Sequence, residues 1–272
     1  MFEKVLILDI DKKSIPVNYA NRIKKLFKKV VFLASSDSKI TQEIKDAEVI
    51  LCNISTQINK QIIDQSLKLR YVGVLATAYD GVDAIYARKK KIIVTNLGGY
   101  STEAVAEFVF AACFEAIREL ERAKQQARAG DTSFVSFMGT ELKNKTLGVI
   151  GAGKLGSRVA EIGLGIGMNV IYSSILSKPL LEKCGAKKVP LDKLMKISDV
   201  VSLNLIQNQK TLKIINKDRI ELMKKGAIFI NTAGEKPIDW EAMKRIVKDG
   251  KITLIFHNAH GLNPKIIKEL QQ

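Results

Sequence analysis

The sequence predicts an α/β protein with two doubly wound parallel-sheet lobes joined by a long helix. Short apolar runs alternate with amphipathic helical stretches along nearly the whole chain. Most of these runs lack polar alternation, which is typical of parallel strands covered on both faces. The series is interrupted once, by Gly98-Gly99 and a helical stretch from Thr102 to about Ala129 that Gly130-Asp131 ends. The chain therefore divides into two series of strands and helices.

Ten apolar runs are predicted as strands, namely Val5–Leu8, Val30–Ala34, Val49–Cys52, Tyr71–Ala76, Ile92–Thr95, Thr146–Ile150, Val170–Tyr172, Val200–Leu203, Ala227–Ile230 and Ile252–Phe256. Amphipathic stretches between them are predicted as helices, among them Tyr19–Phe27, Leu155–Ile166 and Trp240–Val247. Residues 1–98 form the first predicted lobe and residues 99–258 the second. The pattern leaves open whether residues 259–272 complete the first lobe.

Charge and composition narrow the classes of partner. The chain of 272 residues is 46% hydrophobic and carries a net charge of +16, from 35 lysines and only 9 arginines among its basic residues. A nucleic-acid surface usually concentrates its basic residues, mixes in arginine and interleaves aromatics, whereas the lysines here are scattered in short clusters. We therefore expect a small-molecule partner and no nucleic acid.

Cysteine usage and hydropathy indicate a cytoplasmic protein. Cys52, Cys113 and Cys184 lie far apart and form no metal-binding motif, so we expect no metal and buried free thiols in a reducing compartment. The most apolar stretch, residues 104–117, is too short to span a bilayer. No membrane association is expected.

A glycine-rich motif follows the predicted strand Thr146–Ile150. Gly151 permits a tight turn, Gly153 allows the backbone to approach a pyrophosphate, and Gly156 allows close packing of the next helix on the strand. The motif stands between a strand and a helix within a βαβ unit, so it is specific for a Rossmann-like dinucleotide site. The first lobe is predicted to be flavodoxin-like.

The start of the following helix and the end of the next strand define the rest of the nucleotide site. Lys154 and Leu155 begin the helix, whose unpaired N–H groups and dipole favour phosphates. An acid that holds the adenosine ribose is expected after Val170–Tyr172, but Ser174 stands there, with Lys178 close by. We predict NAD as the cofactor because no arginine is present to grip a 2′-phosphate, and NADP stays open.

Several segments resemble the D-isomer-specific 2-hydroxyacid dehydrogenase family, of the phosphoglycerate dehydrogenase and glyoxylate reductase type. These segments are residues 71–83, 95–107, 137–156, 198–203 and 223–233. The resemblance implies hydride transfer between a nicotinamide cofactor and a 2-hydroxy or 2-keto acid. It also implies a homodimer built around the long helix, whose apolar side chains include Val105, Phe108, Val109, Ala112 and Ile117.

The resemblance also implies roles for individual residues. The substrate loop corresponds to Ala76, Thr77 and Ala78. Further cofactor-binding positions correspond to Val105, Leu205, Thr232 and Ala233.

The chain departs from the family at the catalytic residues. The family places an arginine where Gly234 stands, and its catalytic glutamate has no counterpart here. Phe256-His257-Asn258-Ala259 resembles the segment around the family's acid/base histidine, and an internal deletion before it explains the shortened C-terminal part. In a second alignment Asn258 ends the last core strand and the histidine segment is absent. His257 is the candidate catalytic residue, and His260 is assigned no role.

Two functional hypotheses follow. In the first the chain is an active or weakly active NAD(P)-dependent dehydrogenase. A further idea is that its site is rebuilt, with Lys236 offering a charge to the substrate carboxylate and Glu235 orienting His257. In the second it is a catalytically silent homologue that binds a dinucleotide and acts as a sensor or partner subunit. Pro237 directly after Lys236 favours an exposed turn over a rebuilt site.

Overall fold

The computed structural model describes residues 2–133, 139–257 and 262–270, and the chain divides into two compact units, Met1–Tyr100 and Ser101–Gln272. Each unit contains one parallel sheet, so the predicted pair of α/β lobes is confirmed. The boundary lies two residues beyond the predicted end of the first lobe.

The first unit has a five-stranded parallel sheet with the order β2-β1-β3-β4-β5. Its strands are Phe2–Leu8 (β1), Phe27–Leu33 (β2), Val49–Cys52 (β3), Tyr71–Val74 (β4) and Ile93–Asn96 (β5). Its helices are Val17–Leu26 (α1), Ile40–Glu43 (α2), Lys60–Gln65 (α3) and Ala84–Lys89 (α4), with a 3-10 turn at Lys12–Ser14. This strand order is that of flavodoxin-like sheets.

The second unit has a six-stranded parallel sheet with the order β11-β10-β9-β6-β7-β8. Its strands are Thr146–Ile150 (β6), Asn169–Ser173 (β7), Lys187–Lys188 (β8), Val200–Leu203 (β9), Ala227–Asn231 (β10) and Ile252–Phe256 (β11). Its helices are Thr102–Arg118 (α5), Leu120–Arg128 (α6), Lys154–Gly165 (α7), Pro179–Lys183 (α8), Leu191–Ile197 (α9), Lys217–Glu221 (α10), Trp240–Lys248 (α11) and Pro264–Leu270 (α12). The order is that of a Rossmann sheet, and the strand order reverses between β6 and β9.

The central strands of both sheets are buried as the apolar runs predict, whereas the edge strands β2, β5 and β8 are partly or largely exposed. In the second unit one apolar cluster lies on the face that α5 and α7 cover, and another lies on the face that α9, α10 and α11 cover. Successive side chains along a strand therefore enter opposite cores, which is why the central strands lack exposed polar positions. Helices α3, α4, α10 and α11 begin at a side chain that accepts a backbone N–H, namely that of Asn59, Asp83, Asn216 and Asp239 respectively.

The helical stretch after the first unit is divided rather than continuous. Glu119 adopts a left-handed conformation (φ 47°) between α5 and α6. The carbonyl of Ile117 accepts a hydrogen bond from the Thr140 N–H at 3.2 Å, so the following segment returns to this break. Gly130, with φ 70°, ends α6 where the sequence predicts an end.

The C-terminal helix belongs to the second unit. Lys244 of α11 forms an ion pair with Glu269 of α12, and the described residues 262–270 cluster with the second sheet. Completion of the first lobe by residues 259–272 stays a prediction, and residues 258–261 and 271–272 lie outside the described part of the chain.

The cysteines follow the prediction in two of three cases. Cys52 and Cys113 are buried free thiols, and desolvation raises their pKa values to about 11 and about 12. Cys184 is a free thiol but is exposed, because it ends the short helix α8 at the surface. The expectation of three buried thiols was therefore wrong for Cys184.

Candidate functional site

The glycine motif lies where the strand order of the second sheet reverses. Gly151 follows β6 with φ 87°, and its N–H donates to the Ser173 carbonyl at 2.9 Å. A Cβ at Gly151 would lie 2.8 Å from Cδ2 of Leu205 and 2.9 Å from the carbonyl oxygen of Asn204. The turn between β6 and α7 therefore requires glycine for its backbone conformation and for its contact with the loop after β9.

Gly156 sets the distance between α7 and β6. A Cβ at this position would lie 1.9 Å from the carbonyl oxygen of Gly151 and 3.1 Å from Cγ1 of Val149. Since the first of these atoms belongs to the backbone, no side-chain rearrangement relieves the clash. The close helix–strand packing that the motif predicts is present.

Gly153 faces open space at the start of α7. A Cβ there would meet no heavy atom within 4 Å, and the residue is exposed. Gly153 is the N-cap of α7, and within the described part of the chain no side chain caps it. The N–H groups of Lys154 and Leu155 precede the first helical hydrogen bond, which runs from the Ser157 N–H to the Gly153 carbonyl. This exposed, uncapped cradle fits a pyrophosphate group.

The segment after β7 is fixed by a buried tyrosine that sequence reasoning did not single out. The Tyr172 hydroxyl donates to Oε1 of Glu182 at 2.6 Å and accepts the Lys178 N–H at 2.7 Å. Burial raises the pKa of Tyr172, and the hydrogen bond to Glu182 adds to this effect. Nζ of Lys188 donates to the Ile175 carbonyl at 3.0 Å. Ser174 therefore lies in a braced loop beside a lysine.

A polar network links the ends of β9 and β10. The Thr232 hydroxyl donates to the Leu203 carbonyl at 2.8 Å and lies 3.1 Å from Oδ1 of Asn204. The Asn204 amide nitrogen in turn donates to the Ser202 carbonyl at 3.0 Å. Asn204 was not predicted from the sequence, because a single asparagine after a strand carries no distinctive pattern.

Asn231, the last residue of β10, organises the turn that follows. Its side-chain oxygen accepts the Ala233 N–H at 2.9 Å, and its Nδ2 donates to the Gly234 carbonyl at 2.7 Å. Its backbone carbonyl accepts the His257 N–H at 3.1 Å. Asn231 thus joins the predicted cofactor position Ala233 to the candidate catalytic residue His257.

Gly234 has a left-handed backbone (φ 91°) and contacts the loop after β9. A Cβ at Gly234 would lie 2.7 Å from Nε2 and 3.0 Å from Cδ of Gln207. The position that corresponds to the family's arginine is therefore held in a conformation that favours glycine, and the Gln207 carboxamide covers it.

His257 follows β11 at the edge of the second sheet. Its imidazole ring packs edge-on against Phe108 of α5, with ring centroids 4.9 Å apart and an interplanar angle of 74°. The ring is half-buried. Asn258, which the second alignment places at the end of the strand, lies outside the described residues, as does His260.

Glu235 and Lys236 make contacts of their own within the turn. Oε2 of Glu235 accepts the Asn263 N–H at 3.0 Å, at the residue before α12. Lys236 is exposed, and its backbone N–H donates to Oε1 of Gln207 at 3.1 Å. Glu235 thus braces the start of the C-terminal helix.

The predicted substrate loop lies in the first unit, after β4. Ala76 is buried, and its carbonyl accepts the Leu97 N–H at 2.9 Å. The Thr77 hydroxyl donates to the Leu97 carbonyl at 3.1 Å, and its own carbonyl accepts Nδ2 of Asn96 at 2.6 Å. Ala78 follows, half-buried. The loop is therefore tied to the segment after β5.

Val105 lies on α5, nearly buried in the second unit. Within residues 2–133, 139–257 and 262–270, no group of three His, Cys, Asp or Glu side chains is arranged to hold a metal ion. None of the helices that the structure describes is long and apolar enough to cross a membrane.

The fold and the glycine cradle define a dinucleotide-binding protein of the Rossmann class. A sequence model described as "D-isomer specific 2-hydroxyacid dehydrogenase, NAD binding domain" matches residues 110–257. The chain belongs to this family, and the matched residues are its NAD-binding domain. The resemblance and the NAD-binding domain predicted from the sequence are thereby confirmed.

Individual relatives agree with this assignment. The chain is 32% identical to a glyoxylate reductase of Korarchaeum cryptofilum over 80% of this chain and 67% of the relative. It is 34% identical to a D-3-phosphoglycerate dehydrogenase of Methanocaldococcus jannaschii over 79% of this chain and 41% of the relative. The matched part therefore spans about two thirds of the reductase and less than half of the phosphoglycerate dehydrogenase.

Solved structures show the same fold. A D-lactate dehydrogenase of Aquifex aeolicus, solved with NAD and lactic acid, superposes with a TM-score of 0.85 at 31% identity, covering 98% of this chain and 84% of that one. An acyclic imino acid reductase, Bsp5, solved with NADPH and D-Arg, superposes with a TM-score of 0.82 at 26% identity, covering 98% and 94%.

Proposed function

We propose that this protein is an NAD-dependent oxidoreductase that transfers a hydride between the nicotinamide cofactor and a 2-hydroxy or 2-keto acid. The observation that carries the proposal is the intact glycine cradle at the point where the second sheet reverses. The A. aeolicus neighbour, which holds NAD and lactic acid, supports it. The nicotinamide, when bound, supplies the hydride.

Residues of the second unit would hold the cofactor. Gly151, Gly153 and Gly156 with the N–H groups of Lys154 and Leu155 would bind the pyrophosphate. Ser174 would face the adenosine ribose. The remaining cofactor positions are Val105, Leu205, Thr232 and Ala233.

His257 is the proposed acid/base residue. Reduction of a keto group develops negative charge on its oxygen, and a proton donor must meet it. An imidazole suits this task around neutral pH. Its position is fixed through the backbone bond to Asn231 and the contact with Phe108. Lys236 and Glu235 stay predicted contributors only, since Glu235 braces α12 and Lys236 is exposed.

The test combines cofactor binding with turnover. We expect NADH fluorescence titration to show saturable binding and a panel of 2-keto acids, from glyoxylate to pyruvate, to show turnover. His257→Gln should lower kcat by about 10²–10⁴-fold and leave the dissociation constant of NADH unchanged. NADH binding without turnover across the panel would instead support the silent sensor or partner subunit.

Imine reduction is a second candidate, because the imino acid reductase is matched over 94% of its own length. The same panel supplemented with methylamine distinguishes the two activities. Faster oxidation of NADPH or NADH when the amine is added identifies an imine as the substrate, and an unchanged rate favours the keto acid.

We further propose a homodimer in the cytoplasm. Val109, Phe108 and Ile117, three of the apolar side chains that suggested the dimer, pack into the core of the second unit. Phe114 of α5 and Leu120 of α6 remain exposed and are the better candidates for an interface. Light scattering at tens of micromolar should give the dimer mass, and Phe114→Glu should reduce it to the monomer. A monomer for the parent chain contradicts the proposal.

A further inference from the structure

The side chain of Gln207 lies on a bare glycine at the carboxyl edge of the second sheet. Its Nε2, Cδ and Oε1 atoms lie 2.7, 3.0 and 3.2 Å from where a Cβ of Gly234 would stand. The whole carboxamide therefore rests against the backbone of the turn after β10. Any residue larger than glycine at position 234 would displace it.

The hydrogen bond from the Lys236 N–H fixes the orientation of the Gln207 carboxamide. Oε1 accepts the N–H of Lys236 at 3.1 Å, and a backbone N–H can only be met by the carbonyl end of the amide. Nε2 is consequently turned away from that N–H. It has no hydrogen-bond partner among the residues that the structure describes, and the side chain is only half-buried. The N–H donors of Nε2 therefore lie beside the turn at Gly234 without a partner among the described residues.

Gln207 is linked through Gly234 and Asn231 to His257, the candidate acid/base residue. The His257 N–H donates to the Asn231 carbonyl, and Nδ2 of Asn231 donates to the carbonyl of Gly234, on which Gln207 rests. Asn231 ends β10, and the other three residues follow β9, β10 or β11; the carboxyl ends of these strands meet at the edge where such sheets bind their ligands. The donors of Gln207 belong to this same edge.

We propose that Nε2 of Gln207 is a substrate-binding donor that holds an oxygen of the carboxyl or carboxamide group next to the reacting carbonyl. The proposal rests on the proposed function and names its substrate class, which is 2-keto acids and their neutral amides. Both would be bound without a bidentate arginine. A neutral amide can donate to a carboxylate or to a carboxamide oxygen, whereas a guanidinium adds a full positive charge and so discriminates more strongly for the carboxylate. The ratio of kcat/KM for pyruvate to that for pyruvamide should therefore stay below about tenfold, about 1.4 kcal/mol.

The experiment compares Gln207→Ala and Gln207→Glu with the parent, and uses Gln209→Ala, an exposed glutamine of the same loop, as the matched control. Calorimetry measures oxamate binding to the NADH complex, and fluorescence measures NADH binding. Gln207→Ala should weaken oxamate about tenfold or more, the equivalent of one hydrogen bond, and leave NADH binding within about twofold. Gln209→Ala should match the parent. Gln207→Glu should reduce turnover of pyruvate more than that of pyruvamide, which a merely structural role would not produce.

The outcomes separate this proposal from the proposed function. Oxamate binding that depends on Gln207, without turnover of any keto acid, supports the donor role and overturns only hydride transfer. Unchanged oxamate affinity in Gln207→Ala, a pyruvate preference above about tenfold, or no oxamate binding to the NADH complex overturns the Gln207 proposal. A parent chain that fails to bind NADH overturns both.

Discussion

Gly156 and Gly234 lie on the same sheet edge, yet their surroundings differ in kind. A Cβ at Gly156 would strike a backbone carbonyl at 1.9 Å, whereas a Cβ at Gly234 would meet the flexible side chain of Gln207. The backbone carbonyl next to Gly156 cannot move to relieve the clash, whereas the Gln207 side chain can move away from Gly234. The glycine cradle is thus fixed by backbone geometry, while the proposed substrate end at Gly234 is shaped by a side chain that a substitution can change.

The difference explains where the chain keeps the family pattern and where it departs from it. The cradle at Gly151–Gly156 works through main-chain N–H groups, so its requirement is the absence of side chains. Recognition of a substrate works through particular side chains, so the chemistry there changes when a single one changes. A changed substrate end is therefore compatible with an intact nucleotide end.

The largest expected effect comes from Gly156→Ala. Its Cβ forces α7 away from β6, so we expect a loss of about 1–3 kcal/mol or more in the free energy of unfolding, together with loss of NADH binding. Gly165→Ala is the matched control, because a Cβ at the last residue of the same helix meets nothing within 4 Å. That control should be neutral or slightly stabilising. Equal unfolding profiles for Gly156→Ala and Gly165→Ala would contradict the close packing of α7 on β6 at Gly156.

Gly153→Val separates binding from folding. Since the space beside Gly153 is open, the melting temperature should stay close to that of the parent. The added side chain occupies the volume needed for a pyrophosphate, so NADH affinity should fall at least about a hundredfold, about 2.7 kcal/mol. Fluorescence titration and thermal unfolding measure the two quantities. Parent-like affinity in this variant contradicts the cradle assignment.

Asp199 lies directly before β9, at the amino end of the second sheet and so away from the candidate site. Burial alone raises the pKa of Asp199, but hydrogen bonds from the Thr146 N–H and from Lys224 outweigh it and hold the pKa below its usual range. The stabilisation is therefore present above the unfolded-state pKa of about 3.9 and is lost as the pH falls through the lower folded-state value.

Asp199→Asn should therefore destabilise the protein by about 1–3 kcal/mol near pH 7 without changing NADH binding at a temperature where it is folded. Urea unfolding of both proteins at several pH values measures the difference, which should narrow below about pH 4. A difference that grows on acidification has the wrong sign for this account.

The smallest expected effect concerns cofactor choice. Ser174 neither repels a 2′-phosphate nor grips a ribose hydroxyl as an acid does, and Lys188 lies beside the loop. We expect NAD to be preferred over NADP by less than about a hundredfold, about 2.7 kcal/mol, and Ser174→Asp to widen the preference. Paired titrations with NADH and NADPH measure it. A parent preference above that value means that another group decides the choice.

The sequence predicts most of the fold because both sheets are parallel and buried. All ten apolar runs correspond to strands. The strand β8 escapes prediction because it consists of two exposed lysines at the sheet edge. The break at Glu119 escapes as well, because it depends on a left-handed glutamate where a helix former is expected.

The candidate site divides in the same way. The cradle needs residues without a side chain, and the spacing of its glycines shows this in the sequence. The cradle is therefore predictable from the sequence alone. Gln207 belongs to no such motif. Its proposed role depends on a contact with Gly234, twenty-seven positions later, which only the structure reveals. Tyr172 and Asn231 likewise act through hydrogen bonds that no local pattern reveals.

The most direct test of the central claim follows the hydride itself. NADH carrying deuterium at C4 of the nicotinamide is incubated with the protein and glyoxylate or pyruvate, and the product acid is analysed by mass spectrometry. We expect deuterium on C2 of the hydroxy acid with the parent chain and with Gln209→Ala, and at least a hundredfold less with His257→Gln, the lower bound of about 10² for a lost acid/base residue. Saturable NADH binding without any deuterium transfer would contradict this expectation and identify the chain as a silent dinucleotide-binding homologue.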